Sequence, residues 1–144
     1  MTISRIRKKD CGKLAALHGR AFSKGWSAME LARLVSEPGM AALVSNAPDP
    51  DGFILVRVMM DEAEILTLAT DPDHRRAGIG RALLTQALMD CARSGAKRVL
   101  LEVSRSNAIA IQLYASTGFH ETGIRKAYYA DGNDALVMEK ALGE

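Results

Sequence analysis

A glycine-containing turn between an apolar run and an amphipathic pattern constrains the fold more than any other segment. Residues 65–69 are strand-like, and from residue 79 to about 93 apolar residues recur at helical spacing. The connecting stretch is Asp71-Pro72-Asp73-His74-Arg75-Arg76-Ala77-Gly78-Ile79-Gly80-Arg81. Gly78 and Gly80 let the backbone curl tightly and approach a ligand closely. With three arginines and the N–H groups of a helix start, the turn predicts a phosphate or pyrophosphate site, although a sharp turn with solvated arginines is the alternative.

The two commoner phosphate loops do not fit this segment. Gly12-Lys13 lacks the first glycine and the hydroxyl of a Walker loop, and Leu83 occupies the place of the third glycine of a dinucleotide fingerprint. The arrangement Arg75-x-x-Gly78-x-Gly80 instead resembles the acetyl-CoA pyrophosphate loop of the GNAT family of N-acetyltransferases. That resemblance implies cofactor contacts from Arg75, Arg76, Ala77, Gly78, Ile79, Gly80 and Arg81.

Length and composition predict one ordinary globular domain over residues 1–144, with 48% hydrophobic and 25% charged residues. A net charge of +2 is too small to indicate nucleic-acid binding. With no apolar leader and no apolar run of membrane-spanning length, we expect a cytoplasmic protein, not bound to membranes and monomeric. Cys11 and Cys91 lie in helical patterns and are expected to be reduced packing thiols, and no metal-ligand spacing is present.

The apolar periodicity and the turn signals predict the order β-α-α-β-β-β-α-β-α-β-β. Strands are expected at 3–7, 40–45, 53–60, 62–70, 98–103, 119–127 and 135–141, and helices from about 9, from the Ser27–Glu30 capping box, and at 79–93 and 107–117. This is an α+β architecture. The order resembles the GNAT fold, which implies a mixed, mostly antiparallel sheet flanked by four helices in three layers.

The strand at 62–70 leads directly into the glycine turn, which is the order that an acyl-CoA site needs. In the resembling family this strand diverges from its neighbour and its free backbone groups bind the pantetheine arm. The resemblance therefore implies cofactor contacts from Leu68, Ala69 and Thr70, with an N–H near Leu68 stabilising the thioester oxygen. Thr70 stands where valine is common in that family. Because the expected contacts are made by the backbone, this difference leaves them possible. A plain core strand is the alternative.

Two side chains are candidates for proton transfer. Glu102 lies between Leu101 and Val103 on an apolar strand, where a carboxylate is costly unless it is paired or serves chemistry. It resembles the family's proton acceptor, acting directly or through a water, and the alternative is a solvated glutamate. Tyr114 shares a helix face with Asn107, and its phenol is suited to protonate a departing thiolate. The alternative is that Tyr114 is an aromatic residue of the hydrophobic core. Asn107 is predicted to cap that helix and, by resemblance, to contact the cofactor.

Three stretches resemble one branch of the family, the bacterial ribosomal-protein-alanine N-acetyltransferases. They are Ala21-Phe22-x-x-x-Trp26-Ser27, the run from Leu101 to Phe119, and Ile124-Arg125-x-x-Tyr128-Tyr129 with Asp134-Ala135-x-x-Met138. By that resemblance Trp26, Tyr128 and Tyr129 form walls of the acceptor site. The alternatives are a hydrophobic staple for Trp26 and amphipathic packing for the tyrosines. Gly25 replaces the usual proline, which puts the peptide preference in more doubt than the activity.

The resemblance implies an acetyl-CoA-dependent enzyme that acetylates a protein N-terminal amine, with the N-terminal alanine of ribosomal protein S18 as target. No cysteine is placed to carry an acyl group, so we expect direct attack in a ternary complex without a metal. Two alternatives stay open. One is a lysine or small-molecule amine acetyltransferase of the same fold, and the other is a non-catalytic acyl-CoA-binding sensor.

Overall fold

The structure is a computed structural model, and it describes residues 1–22, 26–74 and 78–143. Its elements follow the predicted order, which is confirmed. They are β1 (Ile3–Arg5), α1 (Cys11–Ala21), α2 (Ala28–Val35), β2 (Met40–Ser45), β3 (Gly52–Met59), β4 (Glu62–Thr70), α3 (Ile79–Arg93), β5 (Arg98–Ser104), α4 (Ala108–Ser116), β6 (His120–Arg125) and β7 (Ala135–Ala141). Short 3-10 turns at Lys8–Asp10 and Pro72–His74 precede α1 and the glycine turn.

The strands form a seven-stranded sheet in the order β1-β2-β3-β4-β5-β7-β6. The pairs β1–β2, β2–β3, β3–β4, β5–β7 and β6–β7 are antiparallel, whereas β4 and β5 are parallel. The crossover between these two parallel strands contains α3. The prediction of a mixed, mostly antiparallel sheet is therefore confirmed.

Two hydrophobic cores cover the two faces of the sheet, and β3 contributes to both because its side chains alternate. Ile54 and Val56 pack with the apolar stripe of α3 in one core. Phe53 and Leu55 pack with α1 and α2 in the other. The three layers are thus α1 and α2, the sheet, and α3 with α4, as the resemblance implied.

Local signals explain where the element bounds agree with the sequence and where they differ. Ser27 accepts the Glu30 N–H at 3.1 Å and Glu30 accepts the Ser27 N–H at 3.2 Å, which confirms the predicted capping box. The strand predicted to reach residue 7 ends at Arg5. The Arg7 N–H instead donates to the Asp10 carboxylate at 3.2 Å, and the Asp10 N–H donates to the Arg7 carbonyl at 2.9 Å, which closes a 3-10 turn.

Both cysteines are free and buried, as expected for packing thiols. Burial, followed by the charge of Asp90, raises the pKa of the Cys91 thiol to about 11. In the part of the chain that the structure describes, no helix has both the length and the apolarity needed to cross a bilayer.

Candidate active site

The site begins where β4 and β5 separate. Their parallel pairing runs from Glu62↔Arg98 to Ile65↔Leu101. Beyond that point β5 stays paired with β7, and β4 stays paired with β3 as far as Thr70. Within the described strands, the β5-facing edge of residues 66–70 therefore has no strand partner. Backbone N–H and C=O groups at such an edge are available to an extended ligand.

A bulge in β4 coincides with this separation. Ile65 pairs with Val56 and Thr67 pairs with Leu55, so that Leu66 is the extra residue. Because one extra residue reverses the facing of all that follow, Ile65 packs in the α3 core whereas Ala69, four residues further on, packs in the α1–α2 core. The bulge therefore changes the direction of the backbone groups at the point where the two strands diverge.

A cleft of about 790 Å³ opens along the unpaired edge. Its lining includes every described residue that the sequence proposed for the cofactor, together with the proposed acid: Leu68, Ala69, Thr70, Gly78, Ile79, Gly80, Arg81, Asn107 and Tyr114. Arg75, Arg76 and Ala77 lie outside the described residues. The structure thus brings the cofactor strand, the start of α3 and one face of α4 around one cavity.

Two glycines shape the phosphate end of this cleft in different ways. Gly78 caps α3 with φ of +77°, a left-handed conformation that favours glycine, and no side chain caps the helix start in the described structure. A Cβ on Gly80 would lie 3.4 Å from Leu113, 3.7 Å from Thr70 and 4.0 Å from Leu68, all of which line the cleft. The bare helix start and the open path beside Gly80 fit the pyrophosphate and extended arm of acetyl-CoA.

The turn that enters the glycine segment is held from α1. A guanidinium nitrogen of Arg20 contacts the Asp71 carboxylate, and the same nitrogen lies 3.9 Å from the Asp73 carboxylate. Asp71 in turn accepts the Asp73 N–H at 2.9 Å. Arg20 thereby connects the end of α1 to the segment that precedes the candidate phosphate site.

Asn107 and Arg81 each make a structural hydrogen bond at the edge of the cleft. The Asn107 carboxamide oxygen accepts the Ala110 N–H at 3.2 Å, which confirms the predicted cap of α4. Arg81 donates to the Ser116 hydroxyl at 2.7 Å and so bridges α3 and α4. Each of these residues has a structural role and also lines the cleft.

The Tyr114 ring is buried, but its hydroxyl is not used for structure. The ring packs edge-on against Phe119 with a centroid separation of 5.6 Å. The hydroxyl makes no hydrogen bond to any residue that the structure describes. Burial, followed by the nearby Tyr129, raises the pKa of Tyr114, so the phenol keeps its proton at neutral pH. A phenol that lines the cleft with its proton in place can donate that proton to a ligand.

Glu102 faces the opposite side of the sheet. Leu101 and Val103 are buried in the α3 core, and the strand alternation turns the side chain between them away from it. The carboxylate is 28% exposed and lies 3.1 Å from Nε of Arg125, which supplies the pairing that its position demands. It lines a groove of about 260 Å³ together with Glu64 and Arg125. Glu102 is the first residue of β5 beyond the last β4–β5 pair, Ile65↔Leu101, so it lies at the point where the two strands separate.

The predicted acceptor tyrosines lie around this carboxylate. The rings of Tyr128 and Tyr129 pack edge to face at 5.2 Å, and the Arg125 guanidinium lies 5.7 Å from the centre of the Tyr128 ring. Burial raises the pKa of Tyr129, and the Glu102 charge raises it further. Because Tyr129 also raises the pKa of Tyr114, it lies within electrostatic reach of both proposed proton-transfer groups.

Trp26 does not line either of these cavities in the described structure. Its indole stacks on the His18 imidazole, with a centroid separation of 4.8 Å and an interplanar angle of 7°. It also packs against the α1–α2 core that contains Leu31, the partner position of a hydrophobic staple. The sequence analysis assigned no role to His18 or to the cleft residue Phe22, although Phe22 stands in the Ala21-Phe22-x-x-x-Trp26-Ser27 stretch. Leu113 was also missed, although it neighbours Tyr114 and lies near the helix face of Asn107.

Among residues 1–22, 26–74 and 78–143, no three histidine, cysteine or acidic side chains come together as a metal site. The proposed proton-transfer groups in the two cavities are the Tyr114 phenol and the ion-paired Glu102 carboxylate, and the groove also contains Glu62 and Glu64.

Comparisons with known proteins agree with this arrangement. The model of the acetyltransferase (GNAT) family matches residues 13–119. The [ribosomal protein bS18]-alanine N-acetyltransferase of Escherichia coli K12 is 36% identical over 140 residues, which cover 95% of each chain. The crystal structure of the Escherichia coli ribosomal-protein-S18-alanine N-acetyltransferase superposes with a TM-score of 0.91 at 33% identity, covering 99% of this chain and 94% of that one. Ard1 from Thermoplasma volcanium gives 0.90 at 28% identity, covering 99% and 98%.

The chain belongs to the acetyltransferase (GNAT) family. It is an N-acetyltransferase, and acetyl-CoA supplies its acetyl group. The resemblance stated from the glycine turn and the later motifs is confirmed, and so are the fold and the class of reaction.

Proposed function

We propose that this enzyme acetylates the N-terminal α-amine of a protein and that its acceptor is the N-terminal alanine of ribosomal protein S18. Relatives that carry this activity in their names match nearly the whole chain. The observation that carries the proposal is the position of Glu102, which lies where the β4–β5 pairing ends and within electrostatic reach of Tyr129, a residue that in turn acts on Tyr114. An amine in the groove beside Glu102 and a thioester in the cleft would meet at this point.

Acetyl-CoA, when bound, supplies an activated acetyl carbonyl and a thiolate leaving group. We assign the backbone of Leu68, Ala69 and Thr70 to the extended arm and the N–H near Leu68 to the carbonyl oxygen. The bare start of α3 at 78–81 would hold the pyrophosphate, with Arg75, Arg76 and Ala77 completing the site. Asn107 would bind the arm from α4.

In the proposed reaction the amine nitrogen attacks the acetyl carbon, the new C–N bond forms and the C–S bond breaks. Glu102 accepts the proton lost by the amine, directly or through a water. Tyr114 donates its proton to the departing sulfur, and a proton from solvent restores the phenol. The products are an N-acetylated peptide and the free thiol, with one proton taken from the amine and one given to sulfur.

The amine class follows from proton energetics. An α-amine with a pKa near 8 is roughly a fifth to a third neutral near neutral pH, whereas a lysine with a pKa near 10.4 is only ~0.1% neutral. The difference corresponds to about 3 kcal/mol of deprotonation that the enzyme need not supply. Because the Glu102 carboxylate is partly exposed and already paired with Arg125, it suits the less demanding α-amine.

Release of free thiol from acetyl-CoA, measured with two peptides, tests the proposal. One peptide reproduces the N-terminus of S18 with alanine first, and the other is the same peptide with a blocked N-terminus and an internal lysine. We expect turnover only with the free α-amine. Turnover of the lysine peptide alone would move the enzyme to the side-chain class. Binding of acetyl-CoA without turnover of either peptide would refute the proposal and favour a non-catalytic sensor.

Further peptides with glycine, serine or methionine in place of the first alanine measure how far the preference for the first residue extends. Equal kcat/KM for all first residues would retain N-terminal acetylation and refute a site specific for alanine. Mass spectrometry of the product after proteolysis locates the acetyl group, and this makes the assignment independent of the thiol signal.

A further inference from the structure

Glu64 is a carboxylate beside the proposed base that the proposed reaction does not use. It lies on β4 and lines the same groove of about 260 Å³ as Glu102. Its neighbours along the strand, Ala63 and Ile65, are buried in the α3 core, so the strand alternation turns the Glu64 side chain to the other face of the sheet. Glu102 also faces away from that core. Both carboxylates therefore open into one groove on one face of the sheet.

The register of the sheet fixes the spacing between these two residues. Glu64 pairs with Leu100 across the parallel strands, and Glu102 is two residues further along β5. Because strands lie about 4.8 Å apart and rise about 3.3 Å per residue, the two Cα atoms are about 8 Å apart. An extended peptide advances about 3.3–3.6 Å per residue. A peptide that runs along the groove from Glu102 thus brings its second or third residue level with Glu64.

Every other charged side chain among the described lining residues of the groove is in an ion pair. The pairs are Glu102 with Arg125 at 3.1 Å, Arg57 with Glu37 at 2.8 Å, and Glu62 with Arg98. Glu64 forms no hydrogen bond or ion pair with any residue that the structure describes. Arg57 is its cross-strand neighbour on β3, but that guanidinium donates to Glu37. Within the described groove, the charge of Glu64 is therefore the one that no opposite charge neutralises.

An unneutralised carboxylate at this position is unfavourable for the unliganded protein. Glu62 precedes Glu64 by two residues on the same face of β4, and Glu102 is on the neighbouring strand. Like charges at such spacings repel each other. A cation that binds in the groove relieves this repulsion, whereas an anion increases it. The groove is thus matched in charge to an acceptor that carries a basic residue close to its amine.

We propose that Glu64 determines acceptor specificity: its carboxylate binds an arginine or lysine side chain at the second or third residue of the peptide whose amine faces Glu102. The inference rests on the proposed function, because it takes the groove beside Glu102 as the site of the acceptor amine. It names the chemical class of the acceptor, a protein N-terminus with a basic side chain next to its first residues. Glu64 takes no part in proton transfer.

Steady-state kinetics with a peptide series test this specificity. All peptides begin with alanine, and a single arginine stands at the second, third or sixth residue of an otherwise uncharged sequence. At low ionic strength we expect kcat/KM to be about two- to fivefold higher with arginine at the second or third residue than at the sixth, through a lower KM. Added salt should reduce the preference, because an exposed ion pair is screened. Equal kcat/KM across the series would overturn the inference.

Two variants and a matched control assign the preference to one carboxylate. Glu64→Gln keeps the shape of the side chain and should abolish the preference, with kcat unchanged for the peptide that carries arginine at its sixth residue. Glu64→Arg should reverse it, so that glutamate at the same peptide position is preferred to arginine. Glu121→Gln makes the same change in net charge on β6, outside the groove, and should retain the wild-type preference. A preference that persists in Glu64→Gln, or a KM that rises equally for every peptide, would overturn the assignment.

Thermal unfolding provides a readout that needs no substrate. Glu64 has no partner among the described residues and lies close to two other carboxylates, so removal of its charge should leave Tm equal to or above that of the wild type. A lower Tm in Glu64→Gln would indicate a structural role and contradict the binding role.

Failure of this inference and failure of the proposed function give different results. If the wild-type protein acetylates peptide α-amines at equal rates wherever the arginine stands, only the inference is wrong. If it acetylates none of the peptides, the proposed function fails, and calorimetric binding of the same peptides then decides the inference. Tighter binding of the peptide with arginine at its second or third residue, lost in Glu64→Gln, would retain Glu64 as a cation-binding residue. Equal or absent binding would reject it.

Discussion

Replacing Gly80 by alanine should stabilise the protein and weaken its binding of acetyl-CoA at the same time. Gly80 is the second residue of α3, and its backbone is helical. Alanine is favoured over glycine within a helix by ~0.5–1 kcal/mol. Its Cβ meets no atom closer than 3.4 Å, which is an ordinary contact distance, so no packing penalty offsets the gain. We expect Tm to rise by about 1–4 °C for a chain of this size.

The same methyl group lies between side chains that line the cleft. Its neighbours would be Leu113, Thr70 and Leu68, at 3.4, 3.7 and 4.0 Å. A ligand that occupies this space must move aside, and overpacking by one methyl costs about 1–3 kcal/mol. The expected loss of affinity is roughly five- to hundredfold. Calorimetric titration of acetyl-CoA into Gly80→Ala and wild-type protein measures it directly, with thermal unfolding recorded on the same samples.

Gly78→Ala is the matched control because it adds the same methyl group two residues earlier. No atom lies within 4 Å of a Cβ at Gly78, but φ of +77° makes the conformation costly for alanine by ~1–2 kcal/mol. Alanine also lowers the conformational entropy of the unfolded chain, which stabilises the folded protein by ~0.4–1 kcal/mol. The expected net effect is a loss of roughly 1 kcal/mol in the free energy of unfolding. An unchanged dissociation constant for acetyl-CoA in Gly80→Ala would refute our placement of the ligand beside this glycine.

Three further variants test the proposed roles. Tyr114→Phe should lower kcat by about 10²-fold or more with little change in KM, which steady-state kinetics measure. Its stability should change by less than about 1 kcal/mol in a denaturant titration, because the hydroxyl bonds to no described residue. Glu102→Gln keeps an oxygen for Arg125 and should also lower kcat by about 10²-fold, and full activity would remove the carboxylate from the mechanism. Arg20→Gln removes the contact to Asp71 and should raise the KM for acetyl-CoA about two- to fivefold, with a loss of stability under about 1 kcal/mol. An unaltered KM would argue against a role of Arg20 in holding the turn that precedes the phosphate site.

The sequence predicted best those features that depend on neighbours along the chain. The bounds of α3 and the cap at Asn107 follow from glycine, periodicity and a side chain that bonds three residues ahead. The capping box at Ser27 follows for the same reason. Each signal is complete within a few residues, so tertiary contacts were not needed to interpret it. Several weak motifs, considered together, were sufficient to indicate the family.

The remaining features depend on contacts between distant segments. The bulge at Leu66 and the end of β4–β5 pairing at Ile65 depend on two partner strands that differ in direction. The partner of Glu102 is Arg125, and whether a carboxylate on a strand is paired cannot be deduced from that strand alone. His18 shows the same limit, since its bond to Thr67 joins residues 49 positions apart. The roles of the individual site residues stay predictions until the variants are measured.

The early end of the β4–β5 pairing has a consequence for inhibitor design. The sheet consists of two antiparallel halves that share only the register pairs from Glu62↔Arg98 to Ile65↔Leu101. A ligand lying along the open edge of residues 66–70 takes the position of a missing strand. An inhibitor can therefore be selective for this edge through the spacing of amide groups along a linear molecule. It needs neither the nucleotide nor the thioester of acetyl-CoA. An extended peptidomimetic with strand-like periodicity should compete with acetyl-CoA, and its amides should protect those of β4 from hydrogen exchange.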